Sequence, residues 1–299
     1  MKDVAFSDWL AAGRLRTLPL AVASAGCGGL LAQLNGYGNR SVLVLSVLTA
    51  VLLQIFSNLA NDYGDARNGA DYSGRRGPLR MVASGRISVQ AMRAGLCWCA
   101  LACCLSGLLL LTQALPYLGG TSAVWLLWLL LGISCLAAAF YYTAGRAPYG
   151  YRGWGDAAVF VFFGLIGVLG SEYLHGGVVG AHSWLAAAAL GVWCSMVLNL
   201  NNMRDIDSDL AAGKYTVAAR LGLRRAKIYH AALALAAWCL WLLWLPVGYG
   251  WLKAVLTVLT VLHVYRLSQT EIAHGLDNLL AQWSLTILGW VVVLWLVCV

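Results

Sequence analysis

Apolar residues fall into nine long stretches, at about 17–34, 41–63, 89–112, 121–143, 156–175, 184–204, 227–245, 250–267 and 280–298. A helix needs about 20 residues to cross a hydrocarbon layer about 30 Å thick, and each stretch comes close to that. Within each, the apolar character is continuous rather than alternating, which predicts helices and not the strands of a membrane barrel. The fold class expected is therefore an all-α polytopic membrane protein, a single domain over residues 1–299.

Composition sharpens this. The chain of 299 residues is 61% hydrophobic and 11% charged with a mean hydropathy of +0.75, too little polar surface for a soluble domain of this size. A net charge of +8 could point to nucleic acid, but the placement of the charges argues otherwise. With the N-terminus inside, only Arg40 and Lys253 of the 20 basic residues fall on the outer side, leaving 18 on the inner face. This predicts a multi-pass protein of the cell (inner) membrane with a cytoplasmic N-terminus and an outside C-terminus. The bilayer is the implied partner, and no nucleic-acid partner is expected.

Several tempting motifs reduce to membrane packing. LPLAVASAGC, ending at Cys27, looks like a lipoprotein cleavage site, but the apolar run continues past it and Asp3 and Asp8 dilute the basic start. Cys97, Cys99, Cys103 and Cys104 point around a lipid-embedded helix without paired CxxC spacing, so packing is expected rather than a metal site. Gly26, Gly28, Gly29, Gly164, Gly167 and Gly170 are expected to mark close helix contacts.

Function enters where carboxylates stand at membrane depth, a costly placement. The second stretch ends in NLANDYGDARNGAD, where Asn58, Asn61, Asp62 and Asp65 share one helix side and Asp71 follows beyond Gly69. The sixth ends in LNLNNMRDIDSD, with Asn201, Asp205 and Asp209 at i, i+4 and i+8. Asn61 and Asp65 map onto Asn201 and Asp205 with one offset of 140, suggesting an internal repeat in which the second and sixth helices are equivalent. Facing carboxylates repel in a medium of low dielectric, and divalent cations relieve that repulsion. Mg²⁺ suits such a site because it binds through few carboxylates and completes its octahedron with phosphate oxygens. Arg67, Arg75, Arg76 and Arg80 follow the first cluster, and Arg204, Lys214 and Arg220 surround the second. Carboxylates together with guanidinium groups are what a metal-bound diphosphate requires.

NxxxDxxxxxD in NDYGDARNGAD and DxxxD in RDIDSD, with GPLR at 77–80, YTAGRAPYGYRGWGD at 142–156 and NNMRDIDSDLAAGKYTVAARLG at 201–222, resemble the UbiA-type superfamily of intramembrane prenyltransferases over nearly the whole chain. The resemblance implies a UbiA-like bundle with a central cavity open to the cytoplasmic side. It implies Mg²⁺-dependent transfer of a polyprenyl group from an allylic diphosphate to an aromatic acid, closest to the 1,4-dihydroxy-2-naphthoate branch of menaquinone biosynthesis, with decarboxylation to a demethylmenaquinone precursor. Asn61, Asp65, Asp205 and Asp209 would hold the cations, with Asp62 and Asp71 as further ligands or orienters. Asp65, Asp205 and Asp209 would be the catalytic carboxylates. Arg67, Arg80, Arg204 and Lys214 would hold the diphosphate. Tyr142, Tyr149, Tyr151, Arg152 and Asp156 are assigned to the aromatic acceptor, since tyrosines stack and an arginine can pair with its carboxylate. Another acceptor such as 4-hydroxybenzoate is the alternative within the class, and a secondary transporter is the alternative outside it.

Overall fold

The structure, a computed structural model, describes residues 4–69, 79–119, 121–270 and 273–299. Among them are nine helices long and apolar enough to cross a membrane: Phe6–Leu34, Arg40–Arg67, Val89–Tyr117, Ser122–Tyr141, Gly155–Gly176, Ser183–Arg204, Val217–Trp244, Gly250–Gln269 and Gly275–Cys298. No strand occurs among the described residues. The helices are called the first to ninth spans below.

Local chemistry sets their ends. Asn39, Ser88, Thr121 and Thr216 each accept a hydrogen bond from a backbone N–H in the first turn of the second, third, fourth and seventh spans. The second span closes at Arg67, with Gly69 left-handed at φ 72°.

Three spans depart from the hydropathy pattern. The first starts at Phe6, eleven residues before the apolar stretch, and breaks at Arg14, which is left-handed (φ 48°) despite carrying a side chain. The seventh starts at Val217, ten residues early, and Gly222 (φ 71°, ψ 161°) interrupts it. The fifth is π-helical over Phe160–Gly170, between α-helical turns at Gly155–Val159 and Ser171–Gly176.

The sixth span lies at the centre. Its Leu190, Trp193, Met196 and Leu200 are enclosed by the first, fifth, seventh and ninth spans. The fourth span has no buried residue; it packs mainly on the second and third and stacks Trp128 on Tyr173 of the fifth. Exposed Leu101, Leu105, Leu126, Leu127, Leu130 and Ile133 on the third and fourth spans give the apolar outer surface that lipid requires. Small residues let backbones approach: a Cβ on Gly164 would lie 2.7 Å from the Ala187 carbonyl oxygen and 2.8 Å from Gly191 Cα. Polar groups also link spans internally. His230 on the seventh hydrogen-bonds to Asn199 on the sixth (3.1 Å) and to His263 on the eighth (2.9 Å).

Candidate functional site

The ends of the second and sixth spans open onto one cavity of about 530 Å³, within the range of about 300–1,000 Å³ typical of ligand pockets; Asp65 lines it, whereas Asp205 and Asp209 are not among its lining residues. Asn61, Asp65 and Arg80 line it from the first side, and Asn201, Asn202 and Lys214 from the second. Tyr142, Thr143 and Tyr149 line it from the segment between the fourth and fifth spans. From this polar pole the cavity runs along apolar walls to Leu110, Leu111 and Leu174, towards the opposite ends of the third and fifth spans.

On the first side, Asp65 is buried and accepts from Arg80 Nη2 at 3.0 Å and from the Tyr151 hydroxyl at 2.9 Å. The Asn61 amide oxygen lies 3.0 Å from the Thr143 hydroxyl. That approach depends on Gly64, where a Cβ would sit 2.6 Å from the Thr143 carbonyl carbon. Asp62, grouped with these by helical spacing, is used differently. Its two oxygens accept from the backbone N–H groups of Met81 and Val82, at 3.0 and 3.1 Å, pinning the segment that carries Arg80. Asn58 likewise turns inward, donating to the Gly13 carbonyl at 2.9 Å. Arg67 is exposed and bonds to the Tyr63 hydroxyl at 3.0 Å rather than reaching the cavity. Asp71, Arg75 and Arg76, and residues 77–78 of the GPLR motif, lie outside the described residues.

On the second side the helix breaks at Asp205 and resumes at Ile206–Ala211, yet the i, i+4 relation survives through backbone bonds from Asp205 to Asn201 and from Asp209 to Asp205. Arg204 grips Asp205 bidentately at 2.9 and 2.8 Å and donates to Asn201 Oδ1 at 2.7 Å. Its remaining terminal nitrogen pairs with Asp277 of the ninth span. The group expected to hold a diphosphate is thus engaged with carboxylates and an amide. Lys214 pairs with Asp209 at 3.3 Å and stands over the Tyr151 ring.

Asp209 ties the two sides together electrostatically. Burial pushes its carboxyl up to about 6; Lys214 opposes the shift, and the charges of Asp205 and Asp65 reinforce it. Tyr142 is raised by burial and by the charges of Asp156, Asp209 and Asp65, so it too feels both acidic ends. Burial pushes Tyr149 up to about 12.

The segment assigned to the acceptor divides. Tyr142 and Tyr149 line the cavity, whereas Tyr151 holds Asp65. Arg152 is exposed, and its carbonyl accepts from Arg220 at 2.7 Å. Asp156 is buried and accepts from the Tyr229 hydroxyl at 3.2 Å. Arg14, Thr17 and Gln54 also line the cavity, and no motif in the sequence marks them.

The donor set suits a hard cation in kind: amide and carboxylate oxygens, with Asp209 Oδ2 buried and lacking a hydrogen-bond partner. Among the described residues no three acidic, histidine or cysteine side chains stand together as a ready metal cluster. Each site carboxylate instead has a basic partner: Arg80 on Asp65, Arg204 on Asp205 and Lys214 on Asp209.

The model of the UbiA prenyltransferase family matches residues 21–272. The chain is 44% identical to the 1,4-dihydroxy-2-naphthoate octaprenyltransferase of Haemophilus influenzae over 235 residues, covering 77% of this chain and 75% of that one. It is also 44% identical to the enzyme of the same name from Escherichia coli, over 77% of this chain and 73% of that one. Among solved structures, a UbiA homolog from Aeropyrum pernix superimposes with a TM-score of 0.68 at 18% identity, covering 95% and 99% of the two chains. A UbiA homolog from Archaeoglobus fulgidus bound to GPP and Mg²⁺ does so with a TM-score of 0.63 at 15% identity, covering 96% and 99%.

Proposed function

The chain belongs to the UbiA prenyltransferase family, and from that premise we propose that it transfers a polyprenyl group from an allylic diphosphate to 1,4-dihydroxy-2-naphthoate. The transporter alternative falls away with family membership. In the proposed reaction the allylic C–O bond breaks, diphosphate leaves, a C–C bond forms at the carboxyl-bearing ring carbon, and the carboxyl group departs as CO2. The product is a demethylmenaquinone precursor.

The observation that supports the reading is that two helix ends, 140 positions apart in the chain, meet at one cavity with a polar pole and a long apolar arm: Asn61 and Asp65 line it from one end, and Asn201 and Lys214, the latter paired with Asp209, from the other. The polar pole suits a diphosphate and the apolar arm suits the tail. Asn61, Asp65, Asp205 and Asp209 would hold Mg²⁺, which when bound neutralises the diphosphate and eases its departure. Arg80 and Lys214, already at the cavity wall and paired with Asp65 and Asp209, would turn to diphosphate oxygens when the substrate is bound. Holding these charges in a fixed low-dielectric frame is the chain's main contribution to stabilising the departing anion. Tyr142 and Tyr149 remain protonated at neutral pH, so each can offer a ring edge and a hydroxyl donor to the aromatic acid. The excess of basic residues at one set of loops supports an orientation with this pole facing the cytoplasm, where both the diphosphate and the acid are found.

The test uses purified protein in lipid with Mg²⁺ and a polyprenyl diphosphate, offered dihydroxynaphthoate or 4-hydroxybenzoate separately. The expected result is a prenylated naphthol with matching CO2 release from the first acceptor alone. Product from the second acceptor alone would overturn the acceptor, and none from either would overturn the reaction.

A further inference from the structure

Between Gly275 and Cys298 the ninth span carries one charged residue, Asp277. A lone carboxylate in an otherwise uncharged span requires a partner, and this one has two. Asp277 Oδ2 accepts from Arg16 Nη1 of the first span, and Asp277 Oδ1 accepts from Arg204 Nη1 at the end of the sixth. One side chain therefore joins three spans whose nearest members are 73 positions apart in the chain.

The consequence lies on the far edge of Arg204. Its guanidinium is planar, so fixing one edge fixes the other. The edge opposite Asp277 holds both oxygens of Asp205, and Nη2 also holds Asn201 Oδ1. The side chains of Arg204 and Asp205 are each only 2% exposed, so neither is free to re-orient in solvent. Asn201 and Asp205 are two of the proposed cation ligands. Without the Asp277 charge, Asp205 would be left to offset both Arg16 and Arg204, and the repulsion between the two cations would tilt the Arg204 plane.

The geometry points to Asp277 as a positioning residue: by neutralising Arg16 and Arg204 together it sets the Arg204 plane, and through that plane the orientation of Asn201 and Asp205 towards the cation. This rests on the function proposed above. Asp277 touches no substrate, and its effect reaches the site only through Arg204.

The experiment compares wild type, Asp277→Asn and Asp277→Glu, each full length in lipid nanodiscs. It reads Mn²⁺ Kd by electron paramagnetic resonance without turnover, half-saturating Mg²⁺ in the prenyl-transfer assay, KM for the aromatic acid, and Tm. Losing a group that orients a metal ligand typically costs about 10–100-fold in metal affinity. Asp277→Asn is expected to weaken Mn²⁺ binding and raise half-saturating Mg²⁺ by at least about tenfold, leave KM for the acid unchanged, and be largely rescued by Asp277→Glu. Should Asp277→Asn fail to fold, Asp277→Ser, which also removes the charge and leaves Arg16 and Arg204 in place, is read by the same criteria. Unchanged Mn²⁺ Kd in a folded variant, even with a lowered Tm, would overturn the inference and leave Asp277 as a bundle tie. If wild type itself binds no Mn²⁺ and turns over without a divalent ion, the proposed function fails instead.

Discussion

Gly64→Ala tests how closely the second span must approach the segment that follows the fourth. An added Cβ would stand 2.6 Å from the Thr143 carbonyl carbon, 2.7 Å from its oxygen and 2.7 Å from its hydroxyl, where ordinary contact begins at 3.4 Å. Relief therefore demands a separation of about 0.8 Å, and two of the three obstructing atoms are backbone. Asn61, hydrogen-bonded to Thr143, and Asp65, one residue from the substitution and bonded to Tyr151, sit on the surfaces being parted. A displacement near 1 Å in a positioned site can cost on the order of a hundredfold in rate. Overpacking costs about 1–3 kcal/mol, against which alanine returns up to about 1 kcal/mol of helix propensity. The net expectation is a loss of about 0–2 kcal/mol in stability with a disproportionate fall in kcat/KM of roughly a hundredfold. Gly289→Ala, in the ninth span with nothing within 4 Å of the new Cβ, is the control and should keep kcat/KM within about twofold. Prenyl transfer in nanodiscs, with Tm read on the same samples, supplies both quantities. Wild-type kcat/KM in a folded Gly64→Ala protein would refute the claim that this close approach sets the site.

Three further outcomes follow from the geometry. Asp65→Ala and Asp205→Ala should each abolish turnover in a protein that still purifies folded, and wild-type rates in either would remove that residue from the chemistry. Because Asp209 is raised to about 6, protons compete with the cation for it at mildly acid pH. Its raised value means that the neutral form dominates below about 6, so half-saturating Mg²⁺ should rise as pH falls through that value, and Asp209→Asn should flatten the dependence; an unaltered pH profile in the variant would contradict this. Asp62→Ala should raise KM for the prenyl diphosphate by roughly ten- to a hundredfold, because two charge-assisted bonds worth about 1.5–3 kcal/mol each hold the Met81–Val82 backbone next to Arg80; an unchanged KM would show that this segment needs no such anchor.

The number and order of the spans were legible because hydropathy is a local signal and each span carries its own. Their starts were not legible where polar residues remain helical: Phe6–Gly13 and the turn from Val217 mix charge with apolar residues, and only packing keeps them helical. The π-helical turn of the fifth span was invisible in FVFFGLIGVLG, since it reflects how that backbone meets its neighbours, with Ser24 of the first span bonded to the Phe163 carbonyl and Gly164 pressed on Gly191. The acidic ends stood out because carboxylates do nothing for an apolar helix. Spacing alone placed Asp62 with Asp65, but the side of a helix a residue occupies does not reveal that a loop 19 residues later folds back to claim it. Arg204 was assigned by proximity to the acids, whereas its donors are consumed by Asp205, Asn201 and a residue of the ninth span. Arg14 and Asp277 carried no local signal, since one reads as a topology arginine and the other as an isolated interfacial acid.

The central claim is that both acidic ends hold the same cation and diphosphate, and a double-mutant cycle tests it most directly. Affinity for a non-reacting prenyl thiodiphosphate is measured calorimetrically with Mg²⁺ present, for wild type, Asp65→Asn, Asp209→Asn and the double variant. The account predicts strong coupling, with the double variant binding little worse than either single one because each already dismantles the shared site. Losses that simply add would mean that the two ends act on separate ligands, and would contradict it.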